Sequence, residues 1–268
     1  MRISVIGFGA ITDCIVESLE ARGSLEWLGG VLVRSRNLDE AVRKARGRFD
    51  VVTDTADLFA TNPDIIIEAA GHEAVRELGP NILAQGYHLI VASVGALADL
   101  SVCRRLIAAG KGCLWIASGA VAGLDGLLAA RSAGLDEVLY RSIKPPRAWQ
   151  GTPAERLLDL DCTRGKVVFF RGSAREAARL YPKNVNVGAT IALASLGLDR
   201  TEVQLECDDA VPGPLGIITA SGAFGRFSFE ILALAAPNNP KTSAITGHSI
   251  ASAVLDGMRF SPPIALLT

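Results

Sequence analysis

The first twenty residues constrain the fold most strongly, because they join a short apolar strand to a helix through a glycine turn. Residues 2–6 predict a buried strand, Gly7-Phe8-Gly9 interrupts it, and residues 11–21 carry apolar side chains at helical spacing. In a dinucleotide-binding fold the first glycine permits the tight turn, and the second lets the backbone approach a pyrophosphate. Free N–H groups at the helix start attract the anion. The motif predicts a phosphate-binding turn made by Gly7, Gly9, Ala10 and Ile11.

The residues that follow this turn depart from the glycine pattern at two positions. A third glycine is expected at position 12, but Thr12 stands there and Asp13 follows it. We expect Thr12 to be too bulky for the closest approach of helix to strand. Asp13 suits the positive end of the helix dipole but sets a negative charge near the expected pyrophosphate.

Length and composition exclude several classes of protein. The 268 residues are 49% hydrophobic and 21% charged, which is typical of a globular protein with one large or two moderate domains. A net charge of -1 gives no reason to expect nucleic acid or a membrane surface as partner. We also identify no apolar run of roughly 20 residues and no signal peptide. The five scattered cysteines predict reduced thiols, a cytoplasmic location and no structural metal site.

The end of the second predicted strand bears on cofactor choice. Residues 28–33 predict this strand, and Arg34, Ser35 and Arg36 follow it. A fold that prefers NAD places an acid here to bind the ribose 2′-hydroxyl, whereas a basic residue accommodates the 2′-phosphate of NADP. Two arginines without an acid favour NADP over NAD. The alternative is that both arginines are simply solvated on a loop.

Strands and helices alternate through residues 1–120 and predict a Rossmann domain, a doubly wound and mostly parallel sheet. Residues 65–70 form a continuous apolar strand of the kind that parallel sheets bury. Ligands bind at the carboxyl ends of such strands. We therefore expect further cofactor contacts from the loops that follow two of them, at Ala70, Gly71, His72, Ser93, Val94 and Gly95.

Residues 121–240 predict a second domain of the α+β class. Five strand candidates (137–144, 166–172, 201–207, 215–221 and 226–234) surround one clear helix at 187–196. So few helices between strands favour an antiparallel sheet. A last helix, at 242–256 within the segment 241–268, is expected to pack back on the first domain.

Four segments place polar or cationic groups at a helix start or strand end, where they could converge on a small anion. They are residues 118–120 (Ser-Gly-Ala), 144–149 (Lys-Pro-Pro-Arg-Ala-Trp), 181–187 (Tyr-Pro-Lys-Asn-Val-Asn-Val) and 239–244 (Asn-Pro-Lys-Thr-Ser-Ala). Each also has a plain explanation. The asparagines, Thr242 and Ser243 could cap helices, and the lysines could be solvated.

These segments, taken together, resemble the L-aspartate dehydrogenase family nearly from end to end. The resemblance rests on residues 68–72 (Glu-Ala-Ala-Gly-His), 93–96 (Ser-Val-Gly-Ala), 118–120 (Ser-Gly-Ala), 181–186, 222–225 (Gly-Ala-Phe-Gly) and 239–244. It implies a Rossmann domain plus an α+β catalytic domain, and a homodimer. It also implies reversible oxidation of aspartate to iminosuccinate with NAD or NADP. The imine then hydrolyses to oxaloacetate and ammonia or serves NAD biosynthesis.

The resemblance assigns roles to particular residues. Ala120 and Asn186 would contact the cofactor, and a dicarboxylic amino or imino acid would lie near Asn184, Asn186, Lys241, Thr242 and Ser243. Cationic groups must hold the two carboxylates of such a substrate. Arg147 could do so bidentately and Lys144, Lys183 or Lys241 as point charges, with Lys183 and Lys241 the preferred site residues.

The chain departs from this family at the catalytic histidine, which the family carries in an Asn-x-His motif. Counted back from Gly222, the histidine falls on Gly216 and the asparagine on Pro214. Of the three histidines, His72 is a candidate for proton transfer, although it is better suited to line the cofactor cleft. His88 is expected to be structural, and His248 a packing or surface residue.

Three functions remain open on the sequence. The first is an NADP-preferring aspartate dehydrogenase in which water or another side chain replaces the imidazole. The second is a reductase of a different amino or imino acid with the same fold. The third is a non-catalytic NADP-binding protein.

Overall fold

The structure, a computed structural model, describes residues 1–182, 185–236 and 239–257, without the side chains of 235 and 239–241. The chain forms two compact units. The first unit comprises residues 1–117 and the described residues from Thr246 onward, and the second unit comprises residues 118–245. None of the described helices has the length and apolar character that crossing a membrane requires.

The first unit is a doubly wound sheet, as predicted. Its six strands are all parallel and lie in the order β3-β2-β1-β4-β5-β6. They are β1 (Ile3–Ile6), β2 (Leu28–Leu32), β3 (Asp50–Val52), β4 (Ile65–Glu68), β5 (His88–Val91) and β6 (Leu114–Ile116). The connecting helices are α1 (Ala10–Ala21), α2 (Leu38–Ala45), α3 (Thr55–Ala60), α4 (His72–Ala84) and α5 (Leu100–Ala109). β1 and β4 are buried along their whole length, as expected of strands covered on both faces.

The second unit is built on a five-stranded sheet in the order β11-β10-β7-β9-β8. Its elements are α6 (Leu124–Gly134), β7 (Leu135–Lys144), β8 (Lys166–Ser173), α7 (Ala174–Leu180), α8 (Asn186–Ala194), β9 (Glu202–Asp208), β10 (Leu215–Gly222) and β11 (Gly225–Leu232). The predicted antiparallel sheet needs a correction, because β7 and β9 pair in parallel. The chain forms β8 at the far edge and returns through two helices, so β9 runs in the direction of β7.

Helix α7 is absent from the sequence prediction, although the sequence marks its start. Ser173 accepts a hydrogen bond from the Glu176 backbone, and the Glu176 carboxylate accepts one from the Ser173 backbone. This reciprocal capping box is a known helix-initiation signal. The helix is only seven residues long and alanine-rich, so its apolar periodicity is too short to be recognised.

The segment before the last helix differs from the prediction. Residues 239–243 form β13 (Asn239–Ser243), which pairs with β12 (Ala235–Ala236), and α9 spans Ile245–Leu255. Thr242 and Ser243 therefore lie in a strand, and neither caps a helix that starts at 242. Residues 258–268 of the predicted C-terminal segment lie outside the described residues.

Helix α9 packs within the first unit. Ile250 and Val254 belong to the same buried core cluster as Ile15 and Leu19 of α1. The two helices approach closely at Gly247, where an added Cβ would lie 2.4 Å from the Ile11 carbonyl oxygen and 2.5 Å from the Cys14 Cβ. A glycine is therefore required at this crossing.

We predict that Gly247→Ala lowers the free energy of unfolding by about 1–3 kcal/mol, because the methyl group would overlap the α1 backbone. Helix propensity alone would favour alanine by about 1 kcal/mol, so the sign of the change identifies the clash. Urea denaturation measures it. The control is Ser252→Ala, at an exposed position of the same helix. A Gly247→Ala protein as stable as wild type would contradict the close approach.

Candidate functional site

A cleft of about 720 Å³ lies in the first unit. Its walls include the glycine turn after β1, the end of β2 and the turn after β4. The strand order reverses between β2-β1 and β4, and this switch point is where doubly wound sheets bind dinucleotides. The lining carries both signs of charge, with cations at Arg34 and Lys44 and carboxylates at Glu40, Asp54 and Glu77.

The glycine turn has the backbone that a phosphate-binding turn needs. Gly7 adopts a φ of +97°, and an added Cβ would lie 2.8 Å from the Ala69 carbonyl oxygen. Gly9 is the N-cap of α1, and no atom lies within 4 Å of the place its Cβ would occupy. Gly7, Phe8 and Gly9 line the cleft, whereas the predicted Ala10 and Ile11 open the helix behind them and are not among its lining residues.

Thr12 does not crowd the helix against the strand, contrary to the expectation from its size. Its side chain is fully buried, and its hydroxyl donates a 2.7 Å hydrogen bond to the Gly7 carbonyl oxygen. Thr12 thus links the start of α1 to Gly7 through this hydrogen bond.

Asp13 does not leave an isolated negative charge beside the turn. Its carboxylate pairs with the Lys44 ammonium at 2.6 Å. Lys44, from α2, also donates to the Phe8 carbonyl oxygen at 3.1 Å and lies 4.3 Å from the centre of the Phe8 ring. The sequence analysis does not identify Lys44, because Asp13 and Phe8 lie 31 and 36 residues before it and carry no local signal of this contact.

The residues after β2 are placed differently from one another. Arg34 lines the cleft, and its guanidinium donates to the Glu73 carboxylate at 3.0 Å between two exposed side chains. Ser35 and Arg36 form part of an exposed 3₁₀ turn (Ser35–Asn37) and do not line the described cleft. Of the three residues predicted for the 2′-phosphate, the structure brings Arg34 to the cleft wall.

The residues after β4 and β5 that are predicted to contact the cofactor also differ in whether they line the cleft. Ala70 lines the cleft, Gly71 is the N-cap of α4, and His72 is the half-buried first residue of that helix. Ser93, Val94 and Gly95 are buried where a 3₁₀ turn (Val94–Ala98) follows β5.

A buried carboxylate that the prediction passed over joins these two loops. Glu68, the last residue of β4, is 1% exposed and accepts hydrogen bonds from Ala70, Gly71 and Ser93. Burial raises the pKa of this carboxyl, while the donors oppose the rise because they stabilise the anion. The signal was available in the sequence, since an acid that ends a run of buried isoleucines needs partners.

His72, which is expected to line the cofactor cleft, is not among the residues that line it, and neither are His88 and His248. His88 starts β5 and accepts a 3.1 Å hydrogen bond from the Cys113 backbone. The His248 ring lies 2.7 Å from the Ser18 hydroxyl. Potential metal-ligand atoms of Cys14, Glu17 and His248 fall within 4.8 Å of one another, with the last two side chains exposed.

In the second unit, Gly216 lies beside a buried tyrosine. Gly216 is in β10, opposite Ser142 of β7. An added Cβ would lie 3.3 Å from Tyr140 Cε2 and 3.5 Å from its hydroxyl. Burial raises the pKa of Tyr140 to about 12, partly offset by a hydrogen bond with Ser142. The phenol thus takes up space next to the backbone position where the resemblance places a histidine.

Lys144 is the last residue of β7, on the same face as Tyr140 and Ser142 because side chains alternate along a strand. Its ammonium lies 5.1 Å from the centre of the Trp149 ring, within range of a cation–π contact. Trp149 is fully buried and donates to the Glu206 carbonyl oxygen at 3.1 Å. Burial lowers the pKa of Lys144 to about 8.

The remaining predicted residues are placed as follows. Ala120 is half-buried in the second unit after β6, and Asn186 is the first residue of α8, whose N-cap is Val185. Asn186 is therefore not a capping residue. Lys183, Asn184 and the side chain of Lys241 lie outside the described residues.

Comparisons with known proteins bear on both units. Residues 7–112 match the family model described as homoserine dehydrogenase, NAD binding domain, and residues 125–256 match that described as aspartate dehydrogenase, C-terminal. The L-aspartate dehydrogenase of Ralstonia nicotianae is 41% identical over 260 residues, covering 95% of this chain and 96% of that protein. The L-aspartate dehydrogenase of Acinetobacter baumannii (strain AYE) is 38% identical, with 93% and 94% covered.

Solved structures agree on the fold. The crystal structure of aspartate dehydrogenase from Thermotoga maritima superimposes with a TM-score of 0.70 at 26% identity and covers 97% of this chain and 95% of that one. A hyperthermophilic archaeal homoserine dehydrogenase in complex with NADPH shares the fold alone, with a TM-score of 0.59 at 11% identity and coverage of 98% and 99%.

The doubly wound unit, its glycine-turn cleft and the matched NAD-binding model define a nicotinamide-dependent oxidoreductase. The relatives narrow this class, because identities near 40% extend over almost the whole chain. The chain belongs to the L-aspartate dehydrogenase family. The predicted family and fold class are confirmed.

We predict that Gly216→Ala lowers the free energy of unfolding by about 1 kcal/mol, because the Tyr140 ring must yield to the new methyl group. In a Tyr140→Leu background, the decrease in the free energy of unfolding caused by Gly216→Ala should be close to zero, because the Tyr140 ring is absent. Urea denaturation of the four proteins measures this coupling. If Gly216→Ala lowered the free energy of unfolding equally in both backgrounds, Tyr140 would not restrict the space at residue 216.

Proposed function

We propose that the protein oxidises L-aspartate and prefers NADP as its cofactor. The observation that carries the proposal is the combination of an intact glycine-turn cleft with a second unit that matches the C-terminal aspartate dehydrogenase model. The relatives named L-aspartate dehydrogenase, at 38–41% identity over most of their length, support the choice of substrate.

The cofactor supplies the difficult chemistry, since the oxidised nicotinamide accepts the hydride that leaves Cα of the amino acid. The product is an imine, iminosuccinate, which water converts to oxaloacetate and ammonia. The protein must bind the dinucleotide, hold two carboxylates and accommodate the proton lost from nitrogen. The start of α1 would hold the pyrophosphate, and Lys144 is a described cation of the second unit suited to a carboxylate.

Preference for NADP is supported by the residues at the end of β2, although the cleft lining also carries the carboxylates of Glu40, Asp54 and Glu77. Arg34 and Lys44 are cationic, and no acid follows β2 where an NAD-preferring fold would place one. The pairing of Arg34 with Glu73 is exposed to solvent and is therefore weak. A 2′-phosphate can compete for the guanidinium, because arginine binds phosphate bidentately.

The proposal predicts that the purified protein reduces NADP⁺ in the presence of L-aspartate, with a kcat/KM for NADP⁺ above that for NAD⁺. Arg34→Ala should raise the KM for NADP⁺ by about tenfold and leave that for NAD⁺ nearly unchanged, because one phosphate contact is lost. Initial rates for both cofactors are measured from the absorbance of the reduced nicotinamide. The matched control is Arg43→Ala, an exposed arginine on α2 that does not line the cleft. Equal use of both cofactors would refute the preference.

A second prediction concerns the charge of Lys144, whose pKa is about 8. A lysine is cationic below its pKa, so the KM for L-aspartate should rise as the pH increases through 8. Lys144→Arg keeps its charge and should remove this rise, whereas Lys144→Met should raise the KM about tenfold or more at pH 7. Initial rates between pH 6.5 and 9.5 measure the effect. An unchanged KM in Lys144→Met would exclude Lys144 from carboxylate binding.

The second candidate function, reduction or oxidation of a different amino or imino acid, is favoured by Gly216 and the adjoining Tyr140. Gly216 offers no imidazole where the resemblance places the family's histidine, and the Tyr140 ring fills the space beside it. A panel of amino acids with NADP⁺, and of keto acids with ammonia and NADPH, distinguishes the two functions. Binding of NADPH without turnover of any member would indicate a non-catalytic protein.

Two further properties form part of the proposal. Family membership supports a homodimer, which light scattering would test. The five cysteines are all free thiols, which supports a reducing compartment such as the cytoplasm.

A further inference from the structure

The buried carboxylate of Glu68 makes four hydrogen bonds to two separate loops. Its Oε1 accepts from the backbone N–H groups of Ala70 at 2.8 Å and Gly71 at 2.7 Å. The same oxygen accepts from the Ser93 hydroxyl at 3.0 Å, and Oε2 accepts from the Ser93 backbone at 3.0 Å. One side chain thus ties the turn after β4 to the turn after β5.

The turn after β4 forms part of the cofactor cleft. Ala69 and Ala70 line the cleft, and Gly7 of the glycine turn packs against them, with room for no side chain. Gly71 adopts a φ of +120°, which only glycine occupies readily. The hydrogen bond to Glu68 holds this uncommon backbone in place. A shift of the turn would move the surface on which Gly7 rests.

We propose that Glu68 is a positioning residue for cofactor binding, whose carboxylate fixes the 69–71 turn against the glycine turn and fixes Ser93 beside it. The inference rests on the proposed function, since it assumes that a nicotinamide dinucleotide fills the cleft. Glu68 acts through these backbone groups and takes no part in the transfer of hydride.

The arrangement requires both oxygens to accept. A glutamine could offer its single oxygen to Ala70 and Gly71, but its NH₂ group would then face the Ser93 backbone N–H, and two donors would oppose each other. The substitution hardly changes the volume of the side chain. It also removes a buried charge whose burial raises the pKa of the carboxyl, so it need not destabilise the fold.

The experiment is titration of the full-length protein with NADPH by fluorescence, together with thermal unfolding and initial rates. Glu68→Gln should raise the Kd for NADPH about tenfold or more, because the charged hydrogen-bond acceptor is lost. It should change the KM for L-aspartate less than threefold, and saturating NADP⁺ should restore most of kcat. The matched control is Glu17→Gln, an exposed acid of α1, which should leave all three values unchanged.

A Kd for NADPH within twofold of wild type in folded Glu68→Gln would overturn the proposal. If this variant unfolds at the assay temperature, Ser93→Ala decides the question, since it removes only the hydroxyl bond. It should then raise the Kd two- to fourfold, and an unchanged Kd overturns the proposal. A wild-type protein that binds NADPH but does not oxidise L-aspartate refutes the proposed function and leaves this test in force. A wild-type protein that binds neither NADPH nor NADH refutes both.

Discussion

The contact between Gly7 and the backbone of Ala69 and Ala70 is the constraint on which the cofactor cleft depends. β1 and β4 are neighbours in the sheet, so the turns that follow them meet at the same edge. A methyl group on Gly7 would lie 2.8 Å from the Ala69 carbonyl oxygen, and the positive φ of Gly7 excludes most other residues in any case.

The residues that depart from the usual glycine pattern support this contact. Thr12 hydrogen-bonds the Gly7 carbonyl oxygen from within α1, and Asp13 holds the Lys44 ammonium near the Phe8 carbonyl oxygen. In place of a third glycine, the loop is therefore held by a buried hydroxyl and a partly exposed ion pair. Glu68 holds the turn after β4 through hydrogen bonds from Ala70 and Gly71. Polar contacts that are distant in sequence thus position a backbone that glycine alone leaves free.

The sequence predicted the elements whose signals are local. The Ile65–Ile67 run identified a buried parallel strand, and Gly7 and Gly9 marked the start of α1. It did not predict the parallel pairing of β7 with β9, because that depends on where β8 enters the sheet. The pairing of Lys44 with Asp13 and the packing of Tyr140 over Gly216 were missed for the same reason. Each joins residues whose meeting is decided by tertiary structure.

The return of the chain to the first unit has a consequence for synthesis on the ribosome. The core of the first unit includes Ile250 and Val254, yet residues 118–245 of the second unit are translated before them. The nascent Rossmann sheet therefore emerges with the surface that α9 will cover, around Ile11 and Cys14, still open to water. The second unit can complete its own strand pairing during that interval. The first unit is thus translated first but completes its hydrophobic core last.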